Sequence, residues 1–401
     1  MEKFEDILQD ISEIVKINSE QTAPEAGAPF GKGNRAALDY FLSLAQKFGF
    51  ETHDIDGYAG EVIFGEGEEF AILAHLDVVP AGSGWTHAPY GGEIDYAARR
   101  IWGRGTMDDK GPAIVALYAL KALKDEGFKP NRKIKFIVGC NEESGWGCID
   151  YYKEHAHMPD EGISPDADFP VIYAEKGILQ LRFKFDVSGN FNIAGGERPN
   201  MVCDLCTVEK DNTVYTFRGK SAHGSTPEKG VNAILPALEM LGLDDIKHML
   251  FEDGFGIMSL EDETGKLTFS PNVIEKSGNS VYVTVDVRYP ATLDRQKILS
   301  PIINKGVAFE IMHEQAPLYN DINGKLVTTL CTVYNEVTGK NCKPIAIGGG
   351  TYARALKNGA AFGPEEEGEE NTIHQPNEYI TFEKVEKCYK IYKLAIARLT
   401  A

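Results

Sequence analysis

The stretch "FAILAHLDVVP", residues 70–80, decides how the chain is read. A near-continuous apolar run of this length, ended by proline, reads as a strand covered on both faces, the signature of a parallel sheet inside an α/β layer structure. The run closes on His75-Leu-Asp77, and residues two apart in extended chain share a face. Asp77 can therefore accept the second ring N–H of His75 and orient the imidazole toward a metal ion. Taken alone, the pair reads more readily as a histidine satisfied at a strand end.

On either side of this strand, helices and strands alternate. Helical periodicity in residues 2–17 and 34–48 is followed by the strand "EVIFG", then by the helix "PAIVALYALKALKDEG" and the strands "KIKFIVGC" and "VIYAE". From about residue 180 the texture changes to period-two strands, "LQLRFKFDVSG", "TVYTFRG" and "SVYVTVDVRYP", with helices at "VNAILPALEMLG" and "TLDRQKILSPIIN". After about residue 315 alternation returns, with "GKLVTTLCTVYNEVTG", "KPIAIGG" and a closing helix "TFEKVEKCYKIYKLAIARL". The expected fold class is α/β, a mostly parallel sheet built from residues 1–179 and 315–401, interrupted by an inserted α+β domain over 180–314.

Bulk composition narrows the partners. A chain of 401 residues suits two cores better than one, and 43% hydrophobic residues with 17 Tyr and 20 Phe can fill them. A formal charge of -19 without a Lys/Arg-rich run argues against nucleic acid and anionic membranes and suits cations. The N-terminus lacks the order of a signal peptide, no apolar run approaches the ~18 residues of a membrane span, and seven scattered cysteines suit reduced thiols, so a cytoplasmic location is expected. Cys203 and Cys206 form a lone CxxC that reads as structural.

Three further acidic motifs and one histidine complete the candidate chemistry. "GRGTMDDKGP", residues 103–112, brings Asp108 and Asp109 to the start of a helix, where paired acids also serve as caps. "CNEESGW", residues 140–146, places Glu142 and Glu143 at a strand end, on opposite sides of extended chain. "SPDADFP", residues 164–170, adds Asp166 and Asp168, and "NTIHQPNEYI", residues 371–380, adds His374. His75, Asp108, Glu143, Asp166 and His374 form a set of imidazoles and carboxylates at chain ends of one α/β sheet, where such folds bind ligands. Two-metal hydrolysis calls for this set: a bridging carboxylate, terminal ligands, and one unligated acid to take a proton from water.

With these motifs in this order, together with "AHLDVVPAGSGWTHAPYGGEI", "GKSAHGSTPEKGVNA" and "GGGTYARAL", the chain resembles the M20 family of metallopeptidases along nearly its whole length, in particular its PepV-like dipeptidase branch. The resemblance implies that Asp108 bridges two divalent ions, zinc first with manganese or cobalt as alternatives, and that its bond to Asp109 is cis. It implies that His75 and Asp166 hold one ion, Glu143 and His374 the other, that Asp77 orients His75, and that Glu142 is the general base. The inserted segment resembles the family's lid, in which His223 steadies the oxyanion and Asn200 and Arg288 grip the substrate backbone or its carboxylate. The segment containing Gly349 and Arg354 resembles the loop along the substrate's C-terminal side. Without the family, His223 reads as a turn residue and Arg288 as an exposed strand arginine.

Only 22 residues separate Asn200 from His223, and "CDLCTVEKDNTVYTF" stands where the branch carries a longer segment with a helix. Monomer and homodimer both stay open. The expected activity is hydrolysis of unblocked dipeptides. Its alternatives are deacylation of N-acyl or N-succinyl amino acids within the same family, and a non-catalytic binding protein on the same fold.

Overall fold

The structure is a computed structural model that describes residues 2–401. Contacts divide the chain into two compact units, one of residues 1–173, 320–345 and 351–401, the other of residues 174–319 and 346–350. The sequence-based borders at 179/180 and 314/315 differ from these by five or six residues, and the short segment 346–350 groups with the second unit. That grouping has a local cause: Lys176 N–H donates to Ile347 O at 3.0 Å and Arg288 Nη1 donates to Gly348 O at 3.2 Å.

The first unit is built on a sheet whose path runs Glu51–Ile55, Ala59–Phe64, Arg132–Gly139, Glu68–His75, Glu161–Ser164, Asn358–Ala361 and Ile172–Glu175. The four strands from Arg132–Gly139 to Asn358–Ala361 are mutually parallel, and the flanking pairs are antiparallel. Glu68–His75 lies in the middle, and its last six residues are buried, which is why its sequence shows no polar alternation. The strand stops at His75, short of the apolar run's end, because Leu76 to Pro80 turn away toward the site. Helix Lys110–Asp125 is buried along almost its whole length, and Phe382–Thr400 packs beside it.

Register places the site. His75 is paired with Gly139 and Ile72 with Ile163, so the C-terminal ends of three parallel strands open side by side. Residues following those ends converge on one edge, the place where open α/β sheets bind ligands. Three X–Asp or X–Pro bonds are cis: Asp108–Asp109, Phe169–Pro170 and Gly363–Pro364.

The second unit carries a seven-stranded antiparallel sheet in the order Thr213–Arg218, Leu205–Lys210, Phe191–Gly195, Thr268–Ser277, Ser280–Tyr289, Gly177–Asp186, Ala308–Gln315. Helices Ile234–Leu241, Asp244–Phe251 and Gln296–Asn304 contribute to its own hydrophobic core, which includes Leu181, Phe183, Leu238, Ile274, Val283 and Ile298. Cys203 and Cys206 are buried in that core as free thiols, and all seven cysteines are free, in keeping with a structural CxxC. Among the described residues no helix is long and apolar enough to cross a membrane.

Gly139 shows how tightly the sheet end is packed. A Cβ there would lie 1.9 Å from Tyr352 Oη and 2.9 Å from Cys148 Sγ. Gly139→Ala is expected to destabilise the fold by about 1–3 kcal/mol through overpacking, read as a lowered chemical-denaturation midpoint. An unchanged midpoint would show that Tyr352 yields freely.

Candidate active site

Each acidic motif enters from a different strand end. His75 closes the central strand, Glu142 and Glu143 follow the neighbour Arg132–Gly139, and Asp166 follows Glu161–Ser164. Asp108 precedes helix Lys110–Asp125, and His374 lies in the turn before strand Tyr379–Thr381. The side chains meet around Asp108. Its Oδ1 lies 2.9 Å from His75 Nε2 and its Oδ2 lies 2.8 Å from His374 Nε2. His374 Nε2 is also 3.0 Å from Glu143 Oε1, and His75 Nε2 is 3.8 Å from Asp166 Oδ2. One carboxylate thus faces two imidazoles, each of which faces a second carboxylate. Donor atoms of His75, Asp108 and Glu143 lie within 4.8 Å of one another, a spacing that fits a metal site.

Asp77 does more than its spacing suggested. The second ring nitrogen of His75, Nδ1, is 3.0 Å from the main-chain carbonyl of Asp77 and 3.5 Å from its carboxylate Oδ1. The carboxylate also accepts from the main-chain N–H of Glu142 (2.9 Å) and of Glu143 (3.0 Å). Asp77 therefore faces the His75 ring with both its backbone and its side chain, and ties the two glutamates to it. Asp109 stands at the N-cap position of the helix but does not cap it with its side chain. Its Oδ2 accepts from His75 N–H at 3.2 Å, and no side-chain cap bond forms at the helix start. Asp168 sits apart from the ligands, on a short strand paired with Pro364–Glu365. Glu142 Oε1 accepts from the indole N–H of Trp146 at 3.1 Å and contacts none of the imidazoles by hydrogen bond among the described residues.

Crowded carboxylates at a buried edge disturb one another's ionisation. Burial, opposed by His75 and reinforced by Glu143, pushes Glu142 up to about 8. Burial and the Asp108 charge raise Glu143 and Asp166 as well. Burial also opposes ionisation of Asp108, yet hydrogen bonds from His374 and His75 hold it well below the carboxylate range. Burial lowers His374, but its bonds to Asp108 and Glu143 outweigh that and carry it up to about 10, and His75, also opposed by burial, is raised by its bonds to Asp108 and Asp77. Cations are the natural partners for this excess of acid.

The residues expected in the lid assemble within the second unit. Gly224 N–H donates to Asn200 O at 2.7 Å, Met201 bridges to His223, and His223 Nδ1 is 2.7 Å from Ser225 Oγ. Arg288 is buried, with 4% exposure, which excludes the exposed strand arginine. Its Nε and Nη2 donate to Asp286 at 3.0 and 2.9 Å. Gly349 falls in the segment that groups with this unit, while Arg354 lies in the short helical turn Tyr352–Ala355 of the first unit.

One contributor escaped the sequence reading. Glu378, in the same motif as His374, is fully buried and gathers the backbone N–H groups that precede Asp108. Its signal was an acid four residues past the histidine, indistinguishable by type from the many solvated glutamates nearby.

A profile of Peptidase family M20/M25/M40 matches residues 71–398. The chain belongs to this family. It is a metallopeptidase of the M20 type. YtjP of Bacillus subtilis (strain 168) is 34% identical over 455 aligned positions, covering 99% of this chain and 98% of that protein. The Beta-Ala-Xaa dipeptidase of Lactobacillus delbrueckii subsp. lactis is 34% identical over 458 positions, covering 99% and 97%. Both alignments are longer than the 401-residue chain, so these relatives carry segments that it lacks. In fold the chain is similar to human carnosine dipeptidase 1, with a TM-score of 0.63 at 13% identity over 99% of this chain and 96% of that one.

The ionisation pattern has a sign. Glu142, raised from 4.5 to about 8, and His374, raised from 6.5 to about 10, each bind more proton in the folded than in the unfolded state. Both contributions favour the fold at low pH and fade as pH rises through those windows. Metal-stripped protein should therefore show a falling unfolding midpoint from about pH 6 to about pH 9, and added divalent metal should restore more stability at the upper end. A midpoint that rises over this range would contradict the assignment.

Proposed function

We propose that the protein is a metal-dependent dipeptidase that hydrolyses unblocked dipeptides at a two-ion centre. The observation that carries this reading is Asp108, whose two oxygens each face a different imidazole at 2.9 and 2.8 Å, the disposition of a carboxylate shared between two ions. His75 and Asp166 would hold one ion and Glu143 and His374 the other. Imidazole with carboxylate suits zinc first, and manganese or cobalt as well. Bound divalent ions supply Lewis acidity toward the scissile carbonyl and lower the pKa of water.

The chain's own groups do the rest. Glu142 is the acid left outside the ligand set, and it takes the proton from the attacking water and returns it to the leaving amine. Trp146, donating to Glu142 Oε1, fixes the direction of that carboxylate. His223 donates to the developing oxyanion, where a preorganised donor gains most. Asn200, Arg288, Gly349 and Arg354 receive the substrate's backbone and C-terminal carboxylate. The Asp286 pair holds the Arg288 guanidinium in one orientation for that task. The name of the Lactobacillus relative, a Beta-Ala-Xaa dipeptidase, supports a small peptide with a free amine as substrate. The net charge of -19 favours such a cationic group over an acylated one.

Metal-stripped protein reloaded with zinc or manganese should cleave Ala-Ala, Leu-Gly and β-Ala-His and leave acetyl-Ala and Ala-Ala-Ala intact. Cleavage of acetyl-Ala alone would make the protein a deacylase, and no cleavage at all would favour the binding-protein reading. Glu142→Ala should lower kcat by about 10²- to 10⁴-fold with metal content unchanged. Turnover near that of the native protein would remove Glu142 from the base role.

A further inference from the structure

We infer that Glu378, assisted by Asn377, is a positioning residue that sets the gap between Asp108 and His374 and so governs the ion site that His374 completes more strongly than the other. The inference rests on the two-ion reading above. Glu378 is itself no ligand, because donors occupy both of its oxygens. Its Oε1 accepts from Gly105 N–H at 3.0 Å and Met107 N–H at 2.9 Å, with Asp108 N–H at 3.4 Å. Its Oε2 accepts from Arg104 Nη1 at 2.6 Å, in a pair whose side chains are 0% and 2% exposed. The main chain joins in, since Gly103 N–H donates to Glu378 O at 2.9 Å.

Asn377 ties the same segment to a second loop. Its Oδ1 accepts from the main-chain N–H of Thr86 at 2.8 Å and of His87 at 3.2 Å, and from Thr86 Oγ1 at 3.2 Å. His374 and Asn377 have φ of 61° and 60°, so the segment turns sharply back on itself at both residues. Left-handed backbone at a histidine persists where surrounding contacts impose it. Here Asn377 and Glu378 supply those contacts. The segment 374–378 thus carries one ligand at its start and, at its end, the carboxylate that holds the loop bearing another.

The remaining ligands have a different foundation. His75 and Asp166 follow strands paired within the central sheet, and no bond of Glu378 or Asn377 reaches them among the described residues. Loosening the segment should therefore disturb most the ion that His374 and Glu143 would hold, because His374 and the Asp108 loop both shift there, and reach the one that His75 and Asp166 would hold through Asp108 alone. Groups behind metal ligands commonly act on affinity in this way.

The test is stepwise zinc titration of the metal-stripped full chain against a competing chromogenic chelator, for the native protein, Glu378→Gln and Asn377→Ala. In Glu378→Gln one step should weaken by about 10- to 100-fold and the other by clearly less. Asn377→Ala should move the same step in the same direction by less, and it decides the matter if Glu378→Gln does not fold. Equal weakening of both steps, no change in either, or uptake of a single ion by the native protein would overturn the inference. Unequal weakening of the two steps in Glu378→Gln, alongside a native protein that binds two ions but is inactive on every dipeptide, would sink the substrate reading and leave this inference standing.

Discussion

The constraint on which the rest of the structure depends is the crowding of carboxylates at the open end of the central sheet. Asp77, Asp108, Glu142, Glu143 and Asp166 converge there with only two imidazoles to balance them. Removing an ionised carboxylate from water costs several kcal/mol even after relaxation, and like charges add to the cost. A fold keeps such a cluster only if backbone geometry enforces it and a counter-charge completes it. Parallel pairing enforces it here, because three neighbouring strands end at one level and each continues into an acid. Hydrogen bonds then hold the acids in place, Asp77 on the glutamate pair and Glu378 on the Asp108 loop.

Much of this was legible in the sequence for a physical reason. Strands buried on both faces lose polar alternation, so Glu68–His75 and Arg132–Gly139 declared themselves as parallel strands. The five expected ligands and Glu142 then sat beside strand ends or helix starts, and the structure brings them to one edge. What stayed hidden lacked a local signal. Strand Asn358–Ala361, with sequence NGAA, belongs to the parallel core although small residues carry almost no β propensity. Spacing set the Asp77 side chain beside His75, but gave no sign that the Asp77 carbonyl would also face the ring or that the carboxylate would accept from two glutamate amides. Arg288 reads as exposed in a period-two strand, and only its buried partner Asp286, two residues away on the same face, shows otherwise.

The second unit keeps a core of its own. Its sheet closes on Phe183, Val283 and Ile298 with three helices behind it, and the hairpin of Leu205–Lys210 and Thr213–Arg218 continues the sheet at one end. That hairpin falls between Asn200 and His223. Asn200, His223 and Arg288 are tied within this unit through Gly224, Ser225 and Asp286.

The central claim is that Asp108 is shared between two ions, and anomalous diffraction from crystals of zinc-loaded protein tests it most directly. The account predicts two anomalous peaks about 3.5–4 Å apart, one on each side of the Asp108 carboxylate, with His75 on one and His374 on the other. A single peak, or two peaks of which only one contacts Asp108, would contradict it.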